Sequence, residues 1–135
     1  MRSFFPSRYL AIALLVILAF LQLSTLSITS PTMDEPSHIV SGYAFLTRGD
    51  ARIKLNGPIL PNLIGAMPLL LEPNLKLTSA DDPMWNANDH NGISDPFVWN
   101  NTVSPFTLIF LARLPFIFIS WLLGALIFRW ASERA

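Results

Sequence analysis

Two adjacent acidic residues, Asp34 and Glu35, form the part of this sequence best suited to chemistry. They follow a long apolar segment, and His38 stands three and four residues further on. A carboxylate can accept a proton as a general base, and burial or a neighbouring like charge raises its pKa towards the working range. Acids are also favoured at the positive end of a helix dipole, so the same pair fits simple helix capping. Spacing alone favours capping.

His38 can join either acid in binding a divalent metal ion, since imidazole and carboxylate ligands suit several such metals. On a helix the three side chains share one face, because residues three or four apart are neighbours there. Two or three ligands on one short helix do not close a metal site. A hydrogen-bonded histidine is therefore the preferred interpretation; a divalent metal stays possible, and the sequence specifies no cofactor.

The element that must position these residues is a helix predicted at about residues 33–48. Thr32 and Glu35 have the spacing of a capping box, and Pro36 is tolerated only in a first turn. Gly49 can take the left-handed conformation that ends helices. The apolar stripe of this helix suggests that it lies flat on a membrane or protein surface.

Two apolar segments enclose this region, residues 9–29 and 106–128. Each is long enough to cross a hydrocarbon core of about 30 Å at about 1.5 Å per residue. With 52% hydrophobic and 13% charged residues among 135, the composition is unusual for a soluble domain. The first segment fits a membrane anchor better than a signal peptide, whose apolar run is usually about 7 to 15 residues.

Basic residues near the outer ends of both segments set the expected orientation, because Lys and Arg resist translocation. They are Arg2 and Arg8 at one end and Arg129 and Arg134 at the other. Residues 1–8 and 129–135 are therefore predicted to be cytoplasmic, and residues 30–105 to form an extracytoplasmic loop. The loop is acidic, so the sequence suggests no nucleic-acid surface. The predicted fold class is an all-α membrane protein, with two transmembrane helices joined by an extracytoplasmic loop that contains one or two interfacial helices. The predicted partner is the lipid bilayer.

The rest of the loop carries weaker signals. Residues 58–71 are apolar but too short to span, and they predict an interfacial or re-entrant helix. Residues 72–105 show no periodicity and predict an irregular loop with at most one short helix, in which His90 is a loop residue. The chain has no cysteine, so disulfides and thiolate metal sites are excluded.

Arg113 lies inside the second apolar segment, at a depth of about 10 Å from the helical rise. A charge within a membrane span indicates a functional or pairing role. A long side chain near one end of a span can instead reach the interface. The sequence leaves both interpretations open.

The order of several short motifs resembles the first extracytoplasmic loop of GT-C membrane glycosyltransferases, in particular the protein O-mannosyltransferase and aminoarabinose transferase group. The resemblance covers nearly the whole chain. It is carried by Asp34-Glu35-Pro36-Ser37-His38-Ile39, Gly42-Tyr43, Leu46, Gly49-Asp50, Pro58, Leu60, Ala66-Met67-Pro68-Leu69-Leu70-Leu71, Arg113-Leu114-Pro115 and Arg129-Trp130-Ala131.

The resemblance implies transfer of a sugar from a polyprenyl-phosphate donor, with Asp34 as the catalytic base and Glu35 as a supporting acceptor or metal contact. His38 and Arg113 would be supporting residues. Asn56 stands where relatives have an acidic, metal-binding residue, so this chain departs from the pattern there.

Relatives also have many more transmembrane helices. We therefore expect this chain to be the amino-terminal part of such an enzyme, truncated at residues 129–135 and inactive alone. Its expected location is a bacterial inner membrane, with the loop in the periplasm. The alternative is a non-enzymatic two-span protein whose loop binds or assembles with a partner.

Overall fold

The computed structural model describes residues 5–26, 28–53 and 57–134, and all regular elements within them are helices. The chain divides into two compact units, Met1–Thr29 with Phe116–Ala135 (unit 1) and Ser30–Pro115 (unit 2). In chain order the elements are α1 (Phe5–Leu26), α2 (Glu35–Arg48), α3 (Ile59–Ala66) with a 3₁₀ helix (Met67–Leu71), α4 (Pro83–Ala87), α5 (His90–Trp99) and α6 (Pro105–Arg134).

Two helices, over Arg8–Leu26 and Pro105–Arg134, are long and apolar enough to cross a membrane. A core helix of a soluble protein would be mostly buried, whereas the apolar stretch of α1 is 0% buried and that of α6 is 22% buried. The sequence predicted apolar spans at 9–29 and 106–128. Both helices begin before the predicted spans, α1 ends at Leu26 and α6 continues to Arg134.

Within unit 1, polar side chains in the apolar helices bond to each other. Gln22 Nε2 donates to Ser120 Oγ at 2.9 Å, and Trp121 Nε1 donates to Gln22 Oε1 at 3.0 Å. Gly124 permits close packing nearby, because an added Cβ would lie 2.8 Å from Leu15 Cδ2. In lipid, such interhelical hydrogen bonds and small-residue contacts hold helices together in place of the hydrophobic effect.

Helix α2 of unit 2 begins at Glu35 and ends at Arg48, within the range predicted from the sequence. Its first turn contains Pro36, which costs nothing there because the first amides have no helical partners. Gly49 follows with φ 66°, and its N–H bonds the Phe45 carbonyl at 2.9 Å. This left-handed glycine ends the helix while satisfying one of its last carbonyls.

The apolar segment after α2 is helical, but its end differs from an α-helix. α3 ends at Ala66 and the chain tightens into a 3₁₀ helix over Met67–Leu71. Pro68 explains the change, since it has no N–H to donate and its ring clashes with a preceding carbonyl in an α-helix.

The irregular loop expected over residues 72–105 is wrong in part, because α4 and α5 lie there. Residues 30–105 thus contain further helices beside the one or two interfacial helices of the predicted fold class. Asp82 and Asp89 explain both starts: Asp82 Oδ1 accepts the Met84 N–H and Asp89 Oδ1 accepts the Gly92 N–H, each at 3.0 Å. Such caps allow short helices to form without long periodicity. His90, expected in a loop, is the first residue of α5.

The core of unit 2 draws on every helix of that unit. Its fully buried large side chains are Trp85, Phe97, Leu69, Ile93, Leu108, Val40 and Val98. The rings of Tyr43 and Phe97 pack at 5.3 Å between centroids. Leu108 belongs to α6, so the first part of α6 is a core element of unit 2.

Hydrogen bonds of Arg52 hold the chain after α2 against α4. The Arg52 guanidinium binds the Asp50 carboxylate at 2.7 Å, the Asn86 amide oxygen at 3.0 Å and the Ala80 carbonyl at 2.9 Å. The same guanidinium lies 5.5 Å from the centre of the buried Trp85 ring. These bonds lower the pKa of Asp50, chiefly through the hydrogen bond from Arg52.

Candidate functional site

Arg113 binds Glu35 through a two-pronged ion pair within unit 2. Arg113 Nε donates to Glu35 Oε1 and its Nη2 to Oε2, both at 2.7 Å, across 78 positions of sequence. Only 18% and 19% of the two side chains are exposed. Arg113 Nη2 also donates to the Ser30 carbonyl at 3.2 Å. Of the two interpretations of Arg113, the pairing role is the one that the contacts support.

Glu35 is also bonded to the turn before α2. Its Oε2 accepts the Thr32 N–H at 3.2 Å, which is one half of the predicted capping box. The other half is absent, because Asp34 and not Thr32 is the residue that caps α2, and Asp34 makes no side-chain bond to a helix amide. Glu35 thus joins the turn, α2 and α6, and both of its carboxylate oxygens accept bonds.

Asp34 has the opposite environment, with 73% of its side chain exposed. Its pKa is lowered, chiefly by a hydrogen bond from the Thr32 side chain and in smaller part by His38. The upward shift expected for one carboxyl of the pair is therefore wrong for Asp34. An exposed carboxylate with a lowered pKa is ionised at neutral pH.

His38 lies between Asp34 and a residue that sequence reasoning missed. Its Nδ1 is 2.9 Å from Asn62 Oδ1, and its Nε2 is 3.7 Å from Asp34 Oδ2. Asn62 comes from α3 and is buried. It reaches His38 because α2 and α3 nearly touch at Gly42, where an added Cβ would lie 2.0 Å from the Asn62 carbonyl oxygen.

These contacts determine which ring nitrogen of His38 donates a proton and which can accept one. When Nδ1 donates to Asn62, a neutral His38 presents the lone pair of Nε2 to the side of Asp34. Nε2 and the exposed Asp34 carboxylate are then two proton acceptors on the same side of α2. Asp34 and His38 together can therefore accept one proton from a hydroxyl brought to this exposed end of α2.

The remaining predicted site residue, Asn56, lies outside the described residues. Among those described, no group of three or more His, Asp or Glu side chains is placed to hold a metal ion. Asn62 is the polar residue of the apolar run 62–71, and this contrast is the sequence feature that could have marked it as a site residue.

Comparison with known proteins gives no match of any of three kinds: no family model, no curated protein and no solved structure is similar to this chain. The class that the structure supports is an all-helical protein with two helices able to cross a membrane. The functional argument rests on the site itself.

Proposed function

We propose that this chain is the amino-terminal part of an integral-membrane glycosyltransferase that moves a sugar from a polyprenyl-phosphate donor to an extracytoplasmic acceptor. The observation that carries the proposal is the contrast between the two acids. Asp34 is exposed and ionised beside His38, whereas Glu35 is fixed by Arg113. The setting is a bacterial inner membrane with unit 2 in the periplasm.

In the proposed reaction the acceptor hydroxyl attacks the anomeric carbon of the donor sugar. A bond forms between that carbon and the acceptor oxygen, the bond from the carbon to the phosphate oxygen breaks, and polyprenyl phosphate leaves. The hydroxyl proton passes to Asp34, with His38 beside it. In this proposal the donor binds to further transmembrane helices of the enzyme, so this chain alone is inactive.

Asp34→Asn tests the proposal in the source organism, introduced into the chromosomal gene. We expect membranes from this strain to lose about 10²- to 10⁴-fold of sugar transfer from labelled polyprenyl-phosphate donors, the usual contribution of a general base. Asp95→Asn is the matched control, because Asp95 is also an exposed acid of unit 2. Retained transfer in Asp34→Asn, with both variants inserted in the membrane, contradicts the role of Asp34.

A specific observation favours a second candidate, a non-enzymatic two-span protein whose unit 2 assembles with a partner. Leu60, Met67 and Leu71 of α3 and the 3₁₀ helix are 61%, 58% and 83% exposed. A photo-crosslinking residue at Leu71 separates the candidates. Crosslinks to one protein, together with unchanged sugar transfer in Asp34→Asn, favour assembly; crosslinks to lipid favour the interfacial helix of the transferase.

A further inference from the structure

Unit 1 contains an open cavity of about 480 Å³ at its basic end. Arg8 of α1 lines one side, and Phe128, Arg129, Ser132 and Glu133 of α6 line the other. The volume falls within the range of ligand sites, roughly 300–1,000 Å³. We propose that this cavity binds the phosphate of an anionic membrane lipid, with Arg8 and Arg129 as the two groups that hold it.

The charge of the cavity fits an anion with one negative phosphate. Two guanidinium groups from two helices face one carboxylate, and the planar fork of arginine matches two phosphate oxygens at once. Arg129 Nε is 2.9 Å from Glu133 Oε1, one turn further along α6. These two side chains are 77% and 60% exposed, and an ion pair so exposed contributes little. Arg129 can therefore turn from Glu133 to a phosphate at small cost.

The position of the cavity favours a lipid over a free phosphate. It lies at the ends of the two helices that are long and apolar enough to cross a membrane, and Phe128 gives its wall an apolar part. Next to it, the Arg134 guanidinium lies 4.7 Å from the centre of the Trp130 ring, a pair suited to the membrane interface. Basic pockets between membrane helices are typical binding sites for anionic headgroups.

Native mass spectrometry of the full chain in detergent tests the site with phosphatidylglycerol and phosphatidylcholine as probes. We expect one phosphatidylglycerol to bind in preference to phosphatidylcholine. Arg8→Gln and Arg129→Gln should each weaken it about fivefold, the usual effect of one basic residue near an anionic surface. Glu133→Gln should strengthen it, because it removes a negative charge from the cavity lining and leaves both arginines in place.

Arg134→Gln is the matched control, since it removes the same charge at the same end of the molecule without lining the cavity. We expect less than about a twofold change for it, because its guanidinium does not line the cavity and its more distant charge is screened by salt. Three results overturn the proposal: equal binding of the two lipids, an equal loss in Arg134→Gln, or no gain in Glu133→Gln. Displacement of the lipid by inorganic phosphate, but not by chloride at equal ionic strength, would assign the cavity to a free phosphate instead.

Discussion

Asp34 and Glu35 are neighbours in sequence, yet their side chains have different surroundings at the start of α2. Glu35 is half-buried and bound by Arg113, so its negative charge is balanced inside unit 2. Asp34 has partners in the exposed turn and in His38, and its carboxylate stays accessible. A fixed neighbour that holds the turn in place lets an accessible acid keep one position. In the proposed reaction, Glu35 is therefore a positioning residue for Asp34.

The Arg113–Glu35 pair should make a measurable contribution to the stability of unit 2. Arg113→Gln leaves a carboxylate that is 19% exposed without its cation, and we expect a loss of about 1–3 kcal/mol in the free energy of unfolding. Urea unfolding of the chain in detergent, followed by tryptophan fluorescence, measures it. The double variant Glu35→Gln with Arg113→Gln should lose less than the sum of the single variants, by about 0.5–3 kcal/mol. Strict additivity would contradict the pairing.

For single residues, the sequence predicts only contacts between side chains that are near each other in the chain. The approach of Asp34 to His38 follows from their spacing of four residues on a helix. The partners of Glu35 and His38 do not follow, because Arg113 and Asn62 are brought to them by the packing of other helices onto α2. Helix periodicity does not specify which of the other helices pack there.

Among the elements, the close contact between α2 and α3 depends on Gly42. Gly42→Ala places a Cβ 2.0 Å from the Asn62 carbonyl oxygen, so the two helices must separate. We expect a loss of about 1–3 kcal/mol in the free energy of unfolding, typical of overpacking, and a loss of the His38–Asn62 bond. Thr47→Ala is the control, on an exposed position of the same helix. Unfolding measured in urea should separate the two variants; equal stability would mean that the helices have room to part.

The ion pair between Asp50 and Arg52 should make the stability of unit 2 depend on pH. The pKa of Asp50 is lowered from 3.8 by its bond with Arg52, so the folded state binds this proton less readily than the unfolded state. The stabilisation is present above the unfolded pKa and is lost as the pH falls through the lower folded pKa. Urea unfolding at a series of pH values below 3.8 should show this decline. Asp50→Asn should flatten it, while Asp95→Asn should leave it unchanged.

The helix ends show what local sequence can specify. Gly49 ends α2 and Pro68 ends the α-helical part of the next segment, and both effects are properties of one residue. The starts of α4 and α5 have local signals as well, in Asp82 before Pro83 and in Asp89. Periodicity did not reveal these helices, because five or ten residues give too few turns to establish a pattern.

For the whole molecule, the segment between the two apolar helices is a folded unit with its own core. Leu108, Ile109 and Ala112 of α6 are buried in that core. One helix thus provides packing for unit 2 in its first part and apolar surface in unit 1 in its second part.

The proposed orientation can be tested directly, because the chain has no cysteine to interfere with labelling. Ala87→Cys and Ala131→Cys place single thiols at exposed positions of unit 2 and unit 1 respectively. With both termini cytoplasmic, a membrane-impermeant maleimide should label Ala87→Cys in intact cells whose outer membrane is permeable. In the proposed orientation it should label Ala131→Cys only after the inner membrane is opened, because the rule that basic residues resist translocation assigns Arg129 and Arg134 to the cytoplasmic side. Labelling of Ala131→Cys in intact cells would reverse the orientation and place Asp34 on the side away from the proposed acceptor.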